Sequence, residues 1–211
     1  IAVIAVLVYH LDATWLPGGY TGVDMFFVVS GYVVSSSVMT RQASSTCDLL
    51  AGFYARRVKR LSPALVAMVL CSSIGLTTML HPQTRGLTDY YFTAQLAVVG
   101  VANNHFLVQN QGYFAEGAGA LDFNPFTHTW SLGVEEQFYL CFPLLVAIGF
   151  GRRVTTSGLP DCTKRVRPGL YLLLTFIASF GLGYYWSNGD ATAKNLAFYS
   201  LPSRFWQLMA G

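Results

Sequence analysis

Two strongly apolar segments of this chain, Leu61–Leu80 and Gly169–Ser187, contain no charged residue and are long enough to cross a lipid bilayer. A transmembrane helix needs about 20 mostly apolar residues to cross roughly 30 Å of hydrocarbon. Two more segments approach this pattern, because Val23–Met39 contains only Asp24 and Leu132–Phe150 contains only two glutamates. The whole chain is 11% charged, whereas a soluble domain is about one quarter charged. The sequence therefore predicts a membrane protein.

Two further apolar stretches lie at the ends of the chain. Residues 1–9 show no initiating Met, basic region or cleavage site, so they indicate the second half of a helix rather than a signal peptide. Residues 198–211, FYSLPSRFWQLMAG, enter another apolar stretch. We therefore expect an all-α, polytopic transmembrane helical bundle with about five to seven membrane segments. We also expect residues 1–211 to be part of a membrane domain that is truncated at both ends.

Positive charge is concentrated in RRVKR at residues 56–60 and in a basic loop at 151–168 that is marked by Gly, Pro and Thr. The positive-inside rule predicts that both are cytoplasmic, which requires an even number of crossings between them. Leu61–Leu80 and Leu132–Phe150 supply these crossings. The intervening DYYFTAQLAVVGVANNHF, residues 89–106, would then be re-entrant or interfacial. The alternative is that one basic loop breaks the rule.

The cysteines form no CxxC pair, and two of them lie inside predicted spans. This pattern indicates ordinary small apolar residues rather than a disulfide or zinc framework. They are Cys47, Cys71, Cys141 and Cys162. We predict no metal site, a lipid bilayer as partner and no nucleic-acid partner.

Several ionisable residues lie at the ends of the predicted spans. His10 ends the first apolar run, Asp24 begins the second, and Glu135 and Glu136 begin the segment that runs to Phe150. A carboxylate at the bilayer centre costs at least about 2.5 kcal/mol, so such residues usually face a cavity or a partner. The unperturbed pKa of a histidine, about 6.5, also suits proton transfer near neutrality. These residues are candidates for a functional site.

Helical spacing separates the two glutamates. Glu135 lies one turn after Ser131, and His128 joins the same face if the helix extends that far back. Glu136 points about 100° away, so the two glutamates cannot share one role. The alternative is that either glutamate binds a backbone group or an arginine on a neighbouring helix.

The stretch LPGGYTGVDMFFVVSGY surrounds Asp24. Its tight turn at residues 17–19 contains glycines that let the backbone approach a ligand or a helix closely. Gly31 lies seven residues after Asp24 and therefore on the same helical face, which suits helix packing. A capping aspartate with a packing glycine is an equally good interpretation.

Three arginines in FYARRVKRLSPAL, Arg56, Arg57 and Arg60, could converge on one side of a helix. Guanidinium groups suit phosphate oxygens, which favours a site for an anionic cofactor. The alternative is an orientation anchor for the next span. Together with the acids and His10, the pattern fits an enzyme that works inside the membrane. It also fits a proton-coupled transporter of small acids or sugars.

Four stretches together resemble the acyltransferase-3 family of integral membrane O-acyltransferases. In order, they are IAVIAVLVYH, LPGGYTGVDMFFVVSGYVV, FYARRVKRLSPAL and HTWSLGVEEQFYLCFPLL. The resemblance covers residues 1 to about 150 and resumes at SRFWQLMAG. It implies about ten membrane helices in the whole protein and transfer of acyl groups, typically from acyl-CoA, to hydroxyls of cell-surface carbohydrates.

The resemblance also implies roles for individual residues. His10 matches the family's catalytic histidine, and the arginine that precedes that histidine would fall two positions before Ile1. The arginines at 56, 57 and 60 match a segment that we expect to bind the phosphates of acyl-CoA, acetyl-CoA in the first instance. The family's HTWSL and EEQFY pattern maps onto His128, Trp130, Ser131, Glu135 and Glu136.

We therefore expect a multi-pass enzyme of the plasma membrane or bacterial inner membrane, with a carbohydrate or glycolipid acceptor. His10 would act as general base toward the acceptor hydroxyl or would receive the acyl group itself. Glu135 or Asp24 would orient this histidine or compensate its charge. Which acid performs which step stays open.

Overall fold

The computed structural model describes residues 1–40, 45–84, 86–109, 124–150 and 166–211, and these ranges contain helices and no β-strand. The all-α prediction is therefore confirmed. The helices are α1 (Ala2–Leu11), α2 (Gly22–Met39), α3 (Thr46–Met79), α4 (Leu87–Val99), α5 (Ala102–Val108), α6 (Thr129–Phe150), α7 (Val166–Ser187), α8 (Ala191–Tyr199) and α9 (Leu201–Ala210), with a 3-10 turn at Gly19–Thr21 before α2.

Three apolar helical segments are long enough to cross a membrane: Gly19–Met39, Cys47–Met79 and Gly169–Ser187. Helix α6 has 22 residues, which corresponds to about 33 Å at the usual rise per residue. Helices α1 and α9 have 10 residues each and are shorter. The chain is an integral, multi-pass membrane protein.

Helix α3 is longer than the predicted span. It begins at Thr46, where the Ser45 hydroxyl accepts a hydrogen bond from the backbone N–H of Asp48 at 3.1 Å, and it contains 34 residues. Such a helix is about 50 Å long, well beyond the thickness of the hydrocarbon. The basic residues 56–60 therefore lie within a helix, not in a loop before one. The apolar run at 61–80 identified only the part of this helix that is suited to lipid.

Helices α2 and α6 run in the same direction. The rings of Phe27 and Trp130, near the starts of the two helices, have centroids 6.2 Å apart. Further along, the hydroxyls of Ser30 and Tyr139 are hydrogen-bonded at 2.6 Å. Both helices therefore end at the same side of the bundle, which we call the basic end because α3 and its arginines follow α2 there. We call the opposite side the His10 end.

The basic loop predicted at 151–168 lies largely outside the described residues, which resume at Val166 as the first residue of α7. Its cytoplasmic position therefore stays a prediction. Cys47, Cys71 and Cys141 are free cysteines, and Cys162 lies outside the described residues.

Helices α4 and α5 form a hairpin with its tip at Gly100, which adopts φ 77°. Asp89, in the first turn of α4, accepts hydrogen bonds from His105 at 3.0 Å and from Gln109 at 2.8 Å. The far end of α5 therefore returns to the start of α4. With 13 and 7 residues, neither helix can cross about 30 Å of hydrocarbon. A short hairpin of this kind fits both expectations for residues 89–106, re-entrant or interfacial, so the choice between them stays a prediction.

Helix α9 packs closely against α2 and α7. A side chain at Gly31 would collide with the backbone of Leu208. On the other side, the Ser179 hydroxyl accepts from the backbone N–H of Trp206 at 2.9 Å. Gly31 is thus a packing glycine, as its spacing from Asp24 predicted. The turn glycine Gly19 likewise approaches a helix rather than a ligand, because a side chain there would meet the backbone of Ala5.

Candidate active site

A small cavity of about 120 Å³ lies at the His10 end of the bundle. It brings together three of the residues predicted from the sequence, His10, Asp24 and Trp130. The full lining is Val6, His10, Tyr20, Val23, Asp24, Trp130, Phe198 and Arg204. We call it the His10 cavity. Its residues come from α1, α2, α6, α8 and α9, so residues far apart in sequence form one site.

The imidazole of His10 is held by its own helix. Its Nδ1 lies 2.8 Å from the carbonyl oxygen of Val6, one turn earlier. A carbonyl can only accept, so Nδ1 carries the hydrogen, and the basic lone pair of the neutral ring is on Nε2. The Nδ1 hydrogen of His10 therefore does not bind Asp24 or Glu135, the two acids that were expected to orient the ring. The reason is geometric, because the carbonyl one turn back already takes that hydrogen bond.

Asp24 forms an ion pair with Arg204, with Nη1 and Oδ1 2.6 Å apart. Gln207 also donates to the same carboxylate oxygen at 3.1 Å. The capping interpretation of Asp24 is thus not what the structure shows, since the N-cap of α2 is Thr21. Asp24 and Gly31 do share one face, because both contact α9.

Arg204 is a site residue that was not among those predicted from the sequence. Its Nε donates to the carbonyl oxygen of Phe198 at 3.1 Å, and its guanidinium lies over the rings of Phe198 and Trp130, at 5.0 and 5.9 Å from their centroids. The side chain is 14% exposed. A signal was available, because an arginine inside an apolar stretch usually faces a partner or a cavity.

Glu135 lies in a buried polar cluster between α2 and α6. The hydroxyl of Tyr139 donates to Glu135 Oε2 at 2.6 Å, so the hydroxyl of Ser30 must donate to the Tyr139 oxygen in their own 2.6 Å hydrogen bond. Glu135 is 3% exposed, and its Oε1 has no hydrogen-bond partner among the residues that the structure describes. A buried carboxylate oxygen without a partner is costly, which makes this cluster a candidate for function.

The predicted grouping of Glu135 with Ser131 and His128 is not reproduced by hydrogen bonds. Ser131 donates to the backbone carbonyl of His128 at 3.2 Å, and His128 is exposed. Glu135 instead pairs one turn forward, with Tyr139. The sequence rule that residues four apart share a face holds, but it applies in the other direction.

A second cavity, of about 340 Å³, lies between α3, α6 and the tip of the hairpin. Its lining includes Arg57, Glu136 and Tyr139, together with Tyr54, Val58, Leu61, Ser62, Val98, Val99, Gly100, Val101, Gln137 and Leu140. We call it the Arg57 cavity. Glu136 packs against Gly100 at the tip of the hairpin, so the adjacent glutamates have different surroundings, as their spacing predicted.

Arg57 alone among the three predicted arginines lines this cavity. Its guanidinium lies 5.3 Å from the ring centroid of Phe53 and 5.0 Å from that of Tyr139. Arg56 and Arg60 are exposed. The structure therefore does not bring the three guanidinium groups together in one pocket. Arg57 shares its face with Phe53, four residues earlier, whereas Arg56 and Arg60 share another face.

Comparison with known proteins places these features in a family. A sequence model of the acyltransferase-3 family, described as an acyltransferase domain, matches residues 1–210. The O-acetyltransferase OatA of Staphylococcus aureus strain COL is 39% identical over 145 residues, which cover 69% of this chain and 23% of that protein. A protein of the same strain named "Putative O-acetyltransferase" is 32% identical over 213 residues, which cover 100% of this chain and 32% of that protein.

The chain thus spans only a minor part of the length of either curated relative. No solved structure matches it. Because the family's sequence model covers nearly all of its residues, the chain belongs to the acyltransferase-3 family.

Proposed function

We propose that the intact protein is a membrane-embedded O-acyltransferase that moves an acyl group from acyl-CoA to a hydroxyl of a carbohydrate or glycolipid. The names of both relatives, as O-acetyltransferases, favour an acetyl group. The observation that carries the proposal is the His10 cavity. There, the basic Nε2 of a histidine and an arginine held by an aspartate line one small space.

His10 supplies the proton-transfer chemistry. Its Nε2 takes the proton of the acceptor hydroxyl as the hydroxyl oxygen attacks the acyl carbonyl carbon. The carbon–sulfur bond of the thioester breaks, the sulfur leaves as a thiolate, and the proton passes from Nε2 to the thiolate. In the covalent alternative, Nε2 itself attacks the carbonyl carbon, the carbon–sulfur bond breaks and the thiolate leaves. The hydroxyl oxygen then attacks the acyl carbon, the bond from Nε2 to that carbon breaks, and the hydroxyl proton passes by way of the imidazole to the thiolate.

Arg204 and Asp24 supply charge stabilisation. In either route the carbonyl oxygen becomes negative at the tetrahedral stage, and a fixed cation near it lowers the barrier. The Nε and Nη1 atoms of Arg204 are held by Phe198, Asp24 and Gln207. The guanidinium is therefore preorganised and need not move during the reaction. Asp24 acts as a positioning residue, because it touches Arg204 rather than the reacting atoms.

The Arg57 cavity is the proposed donor site. It offers a guanidinium for a phosphate group and a largely apolar wall formed by α3, α6 and the tip of the hairpin. Along α6, Tyr139 of this cavity and Trp130 of the His10 cavity are separated by about 13 Å of helix axis. An extended, flexible thioester arm could bridge that separation past the Glu135 cluster.

The proposal is tested with membranes that contain the intact protein, acyl-labelled acetyl-CoA and a mixture of cell-envelope glycans. Wild-type protein should transfer label to a glycan, and His10→Gln should reduce the rate by at least about 10²-fold, the low end for loss of a general base. His81→Gln is the matched control, because His81 lies in a turn away from both cavities, and its rate should stay at the wild-type level.

Two outcomes would contradict the proposal. Uptake of a small acid or sugar that depends on the proton gradient, without covalent transfer, would favour a transporter. Retention of more than about a tenth of the rate by His10→Gln would make His10 structural, since loss of a general base costs more than that. Label that remains on the wild-type protein without acceptor would select the covalent route.

A further inference from the structure

A third cavity, of about 370 Å³, lies between α7, α8 and α9 and adjoins the His10 cavity. The two cavities share Phe198 and Arg204. The same guanidinium that pairs with Asp24 in the His10 cavity therefore also forms part of the wall of this larger space. We call it the aromatic cavity. Its volume falls in the usual range for small-ligand sites, about 300–1,000 Å³.

The lining of the aromatic cavity combines flat apolar surfaces with polar groups. Phe180, Tyr184 and Trp206 provide the aromatic surfaces. The polar groups include the hydroxyl of Ser187, the ammonium of Lys194 and the amide of Gln207. Sugar rings have apolar C–H faces that pack on aromatic rings and hydroxyl rims that need donors and acceptors. This combination therefore suits a sugar ring better than it suits a lipid chain.

Charge further restricts the ligand. Within the described part of the chain, the lining includes two cations, Lys194 and Arg204, and no carboxylate. Arg204 is already paired with Asp24, whereas Lys194 is an exposed residue of α8. The cavity therefore favours a neutral or acidic sugar and disfavours a cationic ligand.

The position of the aromatic cavity allows a polar molecule to reach it. Ser187, the last residue of α7, is part of its lining, and the turn to α8 follows directly. The end of a long apolar helix lies at the interface between hydrocarbon and water. Across the shared wall, His10 also lies at a helix end, in the last turn of α1. A hydrophilic acceptor can therefore approach both cavities without crossing the membrane.

We infer that the aromatic cavity binds the sugar acceptor and that the reacting hydroxyl extends past Arg204 into the His10 cavity. The inference rests on the proposed function, because it places the acceptor of that same reaction. The division of volume supports it. The space of about 120 Å³ around His10 suits a small acyl group, whereas the neighbouring space of about 370 Å³ accommodates a ring.

Two adjacent tyrosines provide a matched test. Tyr184 lines the cavity, and Tyr185 does not, although both are exposed, at 68% and 74%. The acceptor is the glycan that the wild-type protein labels in the preceding experiment, at varied concentration and with saturating acetyl-CoA. Tyr184→Ala should raise the apparent KM for this glycan about tenfold, because it removes an aromatic surface against which the sugar ring packs, and Tyr185→Ala should leave it unchanged.

The donor half of the reaction serves as an internal control. Slow hydrolysis of acetyl-CoA by Tyr184→Ala in the absence of glycan should match the wild-type rate, because His10 and the Arg57 cavity are untouched. Lys194→Met, a change at an exposed position, gives a second test if Tyr184→Ala is poorly inserted. Whether the labelled glycan is acidic or neutral, Lys194→Met should raise its KM without altering the rate of acetyl-CoA hydrolysis.

Equal KM values for Tyr184→Ala, Tyr185→Ala, Lys194→Met and the wild type would overturn the inference. Lipid or another part of the chain would then cover this surface. That result would leave the proposed function intact, because the wild type would still transfer label. Absence of transfer by the wild type would instead refute the proposed function, so the two failures are distinguishable.

Discussion

The two cavities along α6 hold their arginines in different ways. In the His10 cavity, Arg204 is 2.6 Å from the carboxylate of Asp24. If Arg204 moved to another partner, the carboxylate of Asp24 would be left without its counter-charge. In the Arg57 cavity, Arg57 lies over two aromatic rings and, within the part of the chain that the structure describes, forms no ion pair. One cation is a fixed component of its site, and we expect the other to be available to an incoming anion.

The energies of the two arrangements explain this difference. Removing one partner of a buried ion pair costs about 3–5 kcal/mol, because the remaining charge stays buried. A cation over an aromatic ring gains only about 0.5–2 kcal/mol. A phosphate group can therefore draw Arg57 away from Phe53 and Tyr139 at small cost. The same group would not separate Arg204 from Asp24.

The largest effect is expected at the ion pair. Arg204→Met should destabilise the folded protein by about 2–3 kcal/mol, below the full range for buried pairs because Asp24 is 37% exposed. Thermal unfolding of the intact protein in detergent measures this loss. The double variant Arg204→Met, Asp24→Asn should recover part of it, since no uncompensated carboxylate remains.

Arg56→Met is the control for the ion pair, because Arg56 is an exposed arginine on another face of the bundle. It should change stability by less than about 0.5 kcal/mol. If Arg204→Met were as stable as Arg56→Met, the claim that the ion pair with Asp24 fixes Arg204 in its site would be wrong.

A smaller effect is expected when the carboxylate of Glu135, which lies between the two cavities, is replaced by an amide. Glu135→Gln should slow transfer about tenfold, because the new amide would place N–H donors where Oε1 has no hydrogen-bond partner among the described residues, at a cost of roughly 1–3 kcal/mol. Glu136→Gln should slow transfer less than about threefold, since Glu136 lies at the half-exposed wall of the Arg57 cavity. Rates are compared at equal protein levels in the membrane, and equal losses would refute the assignment.

The smallest effect is expected at the available arginine. Arg57→Lys should raise the apparent KM for acetyl-CoA about fivefold, because an ammonium cannot offer a planar fork to phosphate oxygens. Arg56→Lys is the matched change at the neighbouring position and should leave the KM unchanged. A normal KM for Arg57→Lys would support the alternative in which these residues only orient the next span.

Apolar length and helical spacing were sufficient to predict much of the fold. The all-α class followed from segments that had to be helical to cross lipid. The shared face of Asp24 and Gly31 followed from a spacing of seven residues, and both contact α9. The start of α3 at Thr46 was not predictable in this way, because hydropathy marks only the part of a helix that suits lipid.

The partners within the site were harder to predict. Arg204 and Asp24 are 180 residues apart, and no local pattern in the sequence encodes that pairing. Tyr139 is predictable from the sequence, since it lies one turn after Glu135, just as Ser131 lies one turn before it. The burial that leaves Glu135 Oε1 without a described partner depends on how α2 and α6 pack, which periodicity alone does not specify.

The hairpin of α4 and α5 has a consequence for the order in which the protein assembles. Its tip carbonyl, at Gly100, accepts from Gln137 of α6 at 3.2 Å, and Asn103 of α5 donates to the carbonyl of Tyr199 at 2.9 Å. Both partners are synthesised after the hairpin. Because lipid cannot satisfy exposed backbone polar groups, we expect the hairpin to reach its final packing only after α6 and α8 are in place. The middle of the chain would then settle after its later helices.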